Sequence, residues 1–96
     1  MVGGLLFDSK KEASYYTQLM WRKKAGEIKE IMLQEKFKVE IEGKHICYYL
    51  ADFVIVYPDG RKEVIDVKSE ITKKNPVYRL KKKLVEALYK IKIIEI

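Results

Sequence analysis

Apolar and polar positions follow two periods along the chain, and the switches between them mark out the elements. Ser9 with Glu12 three residues on matches a capping box, so a helix should open there. Tyr16, Leu19 and Met20 recur at helical spacing, and Gly26, after Ala25, suits the left-handed residue beyond a helix end. Further on, Phe37, Val39 and Ile41 alternate with Lys36, Lys38 and Glu40, the pattern of a half-buried strand. Glu42-Gly43-Lys44 turns it, and Ile46 to Tyr57 reads as a second, more apolar strand. Pro58-Asp59-Gly60 is a tight turn: proline presets φ, and Gly60 supplies the left-handed residue of a three-residue hairpin loop. Lys62 to Lys68 forms the third strand. A polar loop then leads to Asn75-Pro76, an N-cap followed by proline at the first helical position. Val77, Leu80, Leu84, Ala87 and Leu88 predict the buried stripe of a second helix, and Ile91, Ile93 and Ile94 a closing strand. The order is helix, three antiparallel strands, helix, strand: an α/β sandwich in a single domain spanning residues 1–96.

The three-residue loop fixes a register. If Tyr57 faces Arg61, paired residue numbers sum to 118 and Asp52 lies opposite Asp66. Such cross-strand neighbours sit about 5 Å apart at Cβ, where like charges repel. Asp52 is flanked by Leu50, Ala51, Phe53 and Val54, which is not the setting of a surface aspartate. Alternation puts Lys68 on the same side as Asp66, about 6–7 Å along the strand. Two carboxylates and one ammonium are therefore expected on one patch of an apolar sheet. Three arrangements satisfy this pattern: one aspartate is protonated and bonds the other, a hard divalent cation lies between them, or Asp66–Lys68 is a structural salt bridge with Asp52 a capped core group.

Composition narrows the partners. The chain is 48% hydrophobic and 35% charged, with no run of about 20 apolar residues to span a bilayer and no signal-peptide pattern. Cys47 is the single cysteine, which excludes an internal disulfide and a cysteine zinc site and points to an intracellular, cytoplasmic protein. The net charge of +6 is uneven: residues 1–67 carry 11 basic and 11 acidic side chains, residues 68–96 nine and three. A one-sided basic surface is the footprint of a polyanion binder, although a solvated lysine-rich helix has the same composition. A core this small often gains stability by pairing, so a homodimer is expected.

Asp52, followed on the next strand by Asp66-Val67-Lys68, resembles the PD-(D/E)xK nuclease signature, with Ala51 in place of the leading proline. Phe7-Asp8-Ser9-Lys10-Lys11-Glu12, Leu33-Gln34-Glu35-Lys36-Phe37, Ala51-Asp52-Phe53 and Tyr78-Arg79-Leu80-Lys81 extend the likeness from Leu6 to Ile94. Together they resemble a phage and prophage family similar in layout to Holliday junction resolvases. The resemblance implies a restriction-endonuclease-like αβββαβ core, in which a mixed sheet carries an antiparallel three-strand meander between two helices. It also implies a magnesium-dependent endonuclease, with manganese as a substitute, that cuts DNA, branched DNA included, to leave a 5′-phosphate and a 3′-hydroxyl. Asp52 and Asp66 would hold the metal and Lys68 would orient or deprotonate the attacking water.

Other residues carry two readings each. Glu12 either completes the capping box or, as the resemblance implies, joins the metal site from the first helix. Gln34 is an exposed strand residue or the glutamine that orients a metal-bound water or a carboxylate. Lys81 snorkels over the core or reaches a phosphate from the second helix, beside Arg79 and Lys82. Lys73 and Lys74, just after the third strand, are the stronger phosphate candidates. His45 reads as exposed and non-catalytic and Cys47 as a small core residue. Tyr15, Tyr16, Tyr48, Tyr49 and Trp21 read as core or dimer contacts rather than base-stacking platforms. The rival to an enzyme is a non-catalytic nucleic-acid-binding module whose carboxylates are structural.

Overall fold

The computed structural model describes residues 9–96. Leu6, Phe7 and Asp8, which open the family likeness, lie outside the described residues. The element order is α1 (Lys10–Lys24), β1 (Glu30–Ile41), β2 (Lys44–Val56), β3 (Lys62–Asp66), α2 (Glu70–Lys73), α3 (Pro76–Tyr89) and β4 (Ile93–Glu95). The protein is a mixed α/β structure. Its four strands form one sheet in the order β1-β2-β3-β4, antiparallel through β3, with β4 parallel to β3.

Local chemistry accounts for most boundaries. Ser9 caps α1 by accepting the Glu12 amide at 3.1 Å, and Gly26 beyond its end takes φ 83°. Glu42 and Gly43 both have positive φ, the conformation of a two-residue hairpin turn. At the next hairpin the Tyr57 amide donates to the Arg61 carbonyl at 2.8 Å and Gly60 sits at φ 91°, as the three-residue loop requires. Asn75 caps α3 through the amides of Val77 and Tyr78. The stretch expected to be a plain polar loop holds the short helix α2, whose signal is Ser69, which accepts from the Thr72 amide at 3.2 Å.

Two apolar layers cover the sheet. On one face Leu19, Tyr15 and Tyr16 of α1 pack on Ile31, Leu33, Phe53, Ile55, Ile65 and Val67, with the Tyr15 and Phe53 rings 5.6 Å apart. On the other, Val85, Tyr78 and Leu84 of α3 pack on Phe37, Val39, Tyr49, Ala51, Val54 and Val64. The stripe expected to bury α3 is corrected here: Val77 and Leu80 are 61% and 60% exposed, and Ala87 and Leu88 are exposed too. The helix is rolled so that Tyr78 and Val85 meet the sheet, and the roll lets the Tyr78 hydroxyl reach two carboxyl groups under it.

These layers contain an irregularity that positions everything below. Strand alternation should keep Tyr49, Ala51, Phe53 and Ile55 on one face. Instead the first two belong to the α3 side and the last two to the α1 side. β1 does the same, with Ile31 and Leu33 on the α1 side and Phe37 and Val39 on the α3 side. Both strands change face at one rung, where Gln34 stands opposite Asp52, between the pairs Leu33↔Phe53 and Glu35↔Ala51. Gln34 has φ 51°, a left-handed conformation that side chains with a Cβ rarely adopt.

Candidate active site

The expected register is present: Phe53↔Ile65, Val54↔Val64, Ile55↔Glu63 and Val56↔Lys62 all sum to 118. That register puts Asp52 opposite Asp66 at the next position, but the backbone ladder stops one pair short, at Phe53↔Ile65. Asp52 Oδ2 accepts the Val67 amide at 2.8 Å, and Asp66 Oδ1 accepts the Asp52 amide at 3.0 Å. Each aspartate thus ties its carboxylate to the backbone of the other strand. Buried amides need partners, so this exchange replaces ladder bonds without leaving donors unmet.

The face change at Asp52 alters the expected patch. Asp66 follows Val64 toward α3, where its Oδ2 accepts from the Tyr78 hydroxyl at 3.3 Å. The Asp52 carboxylate instead joins the α1 side. Its Oδ1 accepts from Gln34 Nε2 at 3.3 Å, and the same Nε2 donates to Glu12 Oε1 at 3.2 Å. Lys68 Nζ lies 3.2 Å from Asp52 Oδ1 and 3.1 Å from Oδ2. The structure therefore brings Glu12, Gln34, Asp52 and Lys68 together. Asp66 adjoins them through the Asp52 amide rather than side by side, because β2 changes face at Asp52; Lys68, expected on the Asp66 side, lies past the end of β3 and turns to Asp52 instead.

Burial sharpens the electrostatics. Asp66, Asp52 and Glu12 are 0%, 4% and 5% exposed, while Gln34, which bridges two of them, is exposed. Burial pushes the Asp66 carboxyl above the usual carboxylate range, against the Asp52 amide, the Lys68 charge and the Tyr78 hydroxyl, which all pull it down. Tyr78 touches Asp66 and also donates to Glu95 Oε2 at 3.0 Å; burial and those two carboxyl groups push its pKa above the ordinary phenol value. Partial burial would raise Glu95, but Lys82 Nζ at 2.9 Å and the Tyr78 hydroxyl hold it below its ordinary value. A phenol has one proton to give. Tyr78 therefore shares that proton between Asp66 Oδ2 and Glu95 Oε2.

The basic candidates separate. Lys82 is committed to Glu95 and Lys73 pairs with Glu70 at 3.2 Å. Lys74 and Arg79 are exposed and line a surface groove with Pro76, Leu80 and Lys83. Lys81 is half-buried on α3 and makes no hydrogen bond to the Asp52 cluster among the described residues. Glu12 gives its amide to Ser9, as the capping reading expects, and its carboxylate accepts from Gln34, which sets it beside Asp52. His45 is exposed and Cys47 is a half-buried free thiol beside the α3-side core. Sequence reasoning missed Tyr78 as the partner of Asp66, Glu95 as the second partner of Tyr78, and Lys11, whose Nζ donates to the Lys68 carbonyl at 3.1 Å. The run of lysines along α3 carries no sign that Lys82 is the one drawn inward.

In kind, the donors fit a hard divalent cation: buried carboxylate oxygens with an amide beside them. In number they fit a site of one or two carboxylates completed by water and phosphate oxygens, since no group of three or more His, Cys, Asp or Glu among the described residues is gathered closely enough to hold an ion. Among the described residues no helix is long and apolar enough to cross a membrane.

A family model described as a protein of unknown function (DUF1064) matches residues 1–94. No curated protein and no solved structure matches the chain.

Proposed function

The chain belongs to the DUF1064 family, and we propose that this member is a magnesium-dependent endodeoxyribonuclease with a restriction-endonuclease-like core, selective for branched DNA in the manner of a Holliday junction resolvase. One observation carries the reading: at the rung where both strands change face, an exposed amide bridges two buried carboxylates and a lysine closes on one of them. Strained backbone at such a place suits a site built for chemistry. Asp52, with Glu12 and Asp66 on either side, would hold the metal. When bound, magnesium supplies positive charge to the scissile phosphate and the leaving oxygen. Lys68, fixed against Asp52, orients the attacking water with its ammonium. Gln34, exposed at the mouth, holds that water or a carboxylate in place. Tyr78 fixes the Asp66 carboxyl from behind. Lys74 and Arg79 supply phosphate contacts that draw the duplex in without reading its sequence. The products expected are a 5′-phosphate and a 3′-hydroxyl, and a dimer would present two such sites to a junction.

A second reading has a specific observation in its favour. Both carboxylate oxygens of Asp52 and of Asp66 already accept protein donors, as they would in a nucleic-acid-binding module with structural carboxylates. Calorimetric titration of magnesium or manganese into the metal-free protein separates the two. The nuclease reading expects binding, strengthened by DNA and lost in Asp52→Asn. Absence of binding with and without DNA supports the module. Junction selectivity is tested by rates on a four-way junction and a matched linear duplex, and equal rates would remove it.

A further inference from the structure

We propose that the α1-side face of the β1–β2 ribbon beyond the Gln34–Asp52 rung is the track for an unpaired strand of the nucleic acid, with a base stacked on Tyr48 and a phosphate at Lys36. The proposal rests on the nuclease reading for the identity of that strand as substrate.

The ribbon outruns its cover. β1 and β2 have 12 and 13 residues and β3 has five, so the paired segment from Glu35 to Leu50 has no third strand beside it. On its α3 side Phe37, Val39 and Tyr49 are packed. On the other side, past the face change, lie Lys36 and Lys38 from β1 and Tyr48 and Leu50 from β2, paired as Lys36↔Leu50 and Lys38↔Tyr48. That is the side on which Gln34 meets Glu12. Tyr48 and Leu50 are 46% and 49% exposed, unusual for two large side chains on one strand face.

Chemistry on this face selects the occupant. The Lys36 ammonium lies 4.4 Å from the Tyr48 ring centroid and the His45 ring 4.5 Å from it. An exposed aromatic ring with an ammonium and an imidazole against it suits bases and phosphates better than it suits a second copy carrying the same groups. Glu40 neutralises Lys38 at 2.9 Å, so Lys36 is the cation on this face left to meet phosphate among the described residues. Stacking of a base on an aromatic ring outweighs a solvent-exposed cation–π contact, so a base displaces Lys36 from the ring and frees it for the backbone. Leu50 and Lys36 are each two residues from the Asp52–Gln34 rung. Tyr48 is four strand residues from Asp52, about 13 Å, a few nucleotides from the expected scissile phosphate.

The test is fluorescence anisotropy with a labelled single-stranded thymidine oligonucleotide in chelator, where no cleavage is needed. Tyr48→Ala is expected to weaken binding about tenfold, with Tyr48→Phe restoring it because the ring is kept. Lys36→Ala is expected to lower the salt slope of log K by about 0.7. Trp21→Ala, an exposed aromatic on α1 away from the ribbon, leaves binding unchanged. Wild-type affinity in both Tyr48→Ala and Lys36→Ala overturns the proposal. So does a change in sedimentation mass with affinity intact, which assigns the face to a second copy. Ribbon-dependent binding by a protein that neither binds magnesium nor cuts would leave the track standing as a binding site and remove the nuclease reading alone.

Discussion

Gln34 and Asp52 occupy opposite positions of the β1–β2 ladder, are bonded amide to carboxylate at 3.3 Å, and mark the rung at which both strands turn over. The left-handed φ of 51° at Gln34 is where the turnover is built into the backbone. A glycine there would relieve the backbone, whereas alanine would keep the strain, and neither keeps the amide. Gln34→Gly is therefore expected to be more stable than Gln34→Ala by about 1 kcal/mol in urea unfolding. Equal midpoints would mean that the left-handed conformation costs nothing there.

Lys68 is the cation on a nearly buried carboxylate, so its removal has two consequences. Lys68→Ala is expected to lower stability by about 1–3 kcal/mol, since Asp52 loses a charged partner but keeps the Val67 amide and Gln34. Cleavage should fall at least about a hundredfold. Lys68→Arg should recover stability more than activity, because a planar guanidinium holds the carboxylate but not the same water. Thermal unfolding and single-turnover cleavage on the same samples check both. Full activity in either variant excludes Lys68 from the reaction.

Asp66 gives a pH signature in the metal-free protein. Burial raises its folded-state pKa, so its contribution is fully present below the unfolded value near 3.8 and is lost as pH rises through the raised folded value. Asp66→Asn mimics the protonated acid and does not ionise. The variant should gain on wild type as pH climbs from 3.8 toward neutrality, and the gain should level off above the raised value. Urea unfolding at a series of pH values in chelator measures it. A difference that is flat or shrinks with rising pH contradicts a folded-state pKa raised by burial. Magnesium should reverse the order at neutral pH, because it stabilises the ionised wild type only.

The basic residues divide by what they already touch. Lys74→Ala and Arg79→Ala should each weaken DNA binding and reduce the salt slope by about one, with little loss of stability. Lys82→Ala should instead destabilise the fold by about 1 kcal/mol, because it strips Glu95 of its ammonium beneath α3. An unchanged melting temperature for Lys82→Ala, with a slope change like that of Arg79→Ala, would return Lys82 to the DNA contacts.

Much of this architecture is legible in the chain before folding. Pro58-Asp59-Gly60 specifies a loop length, the loop length specifies the 118 register, and the register brings Asp52 to the rung of Asp66. Asn75-Pro76 and Ser9 likewise state their helix ends in side-chain chemistry. Two features escape such reading for one reason: each is decided by polar contacts between distant residues. The face change at Gln34 and Asp52 is invisible to a period-two pattern, because both residues are polar and suit either face. The roll of α3 is set by Tyr78 reaching Asp66 and Glu95, and it overrides the longer apolar stripe from Val77 to Leu88.

The most direct test is cleavage of an end-labelled four-way junction by purified wild type and Asp52→Asn, each with magnesium and with chelator, at matched concentrations. Wild type should cut only with magnesium and leave 5′-phosphate ends, while Asp52→Asn still binds the junction and does not cut it. No cutting by wild type, or equal cutting by the two proteins, would show that the cluster around Asp52 is not a nuclease site.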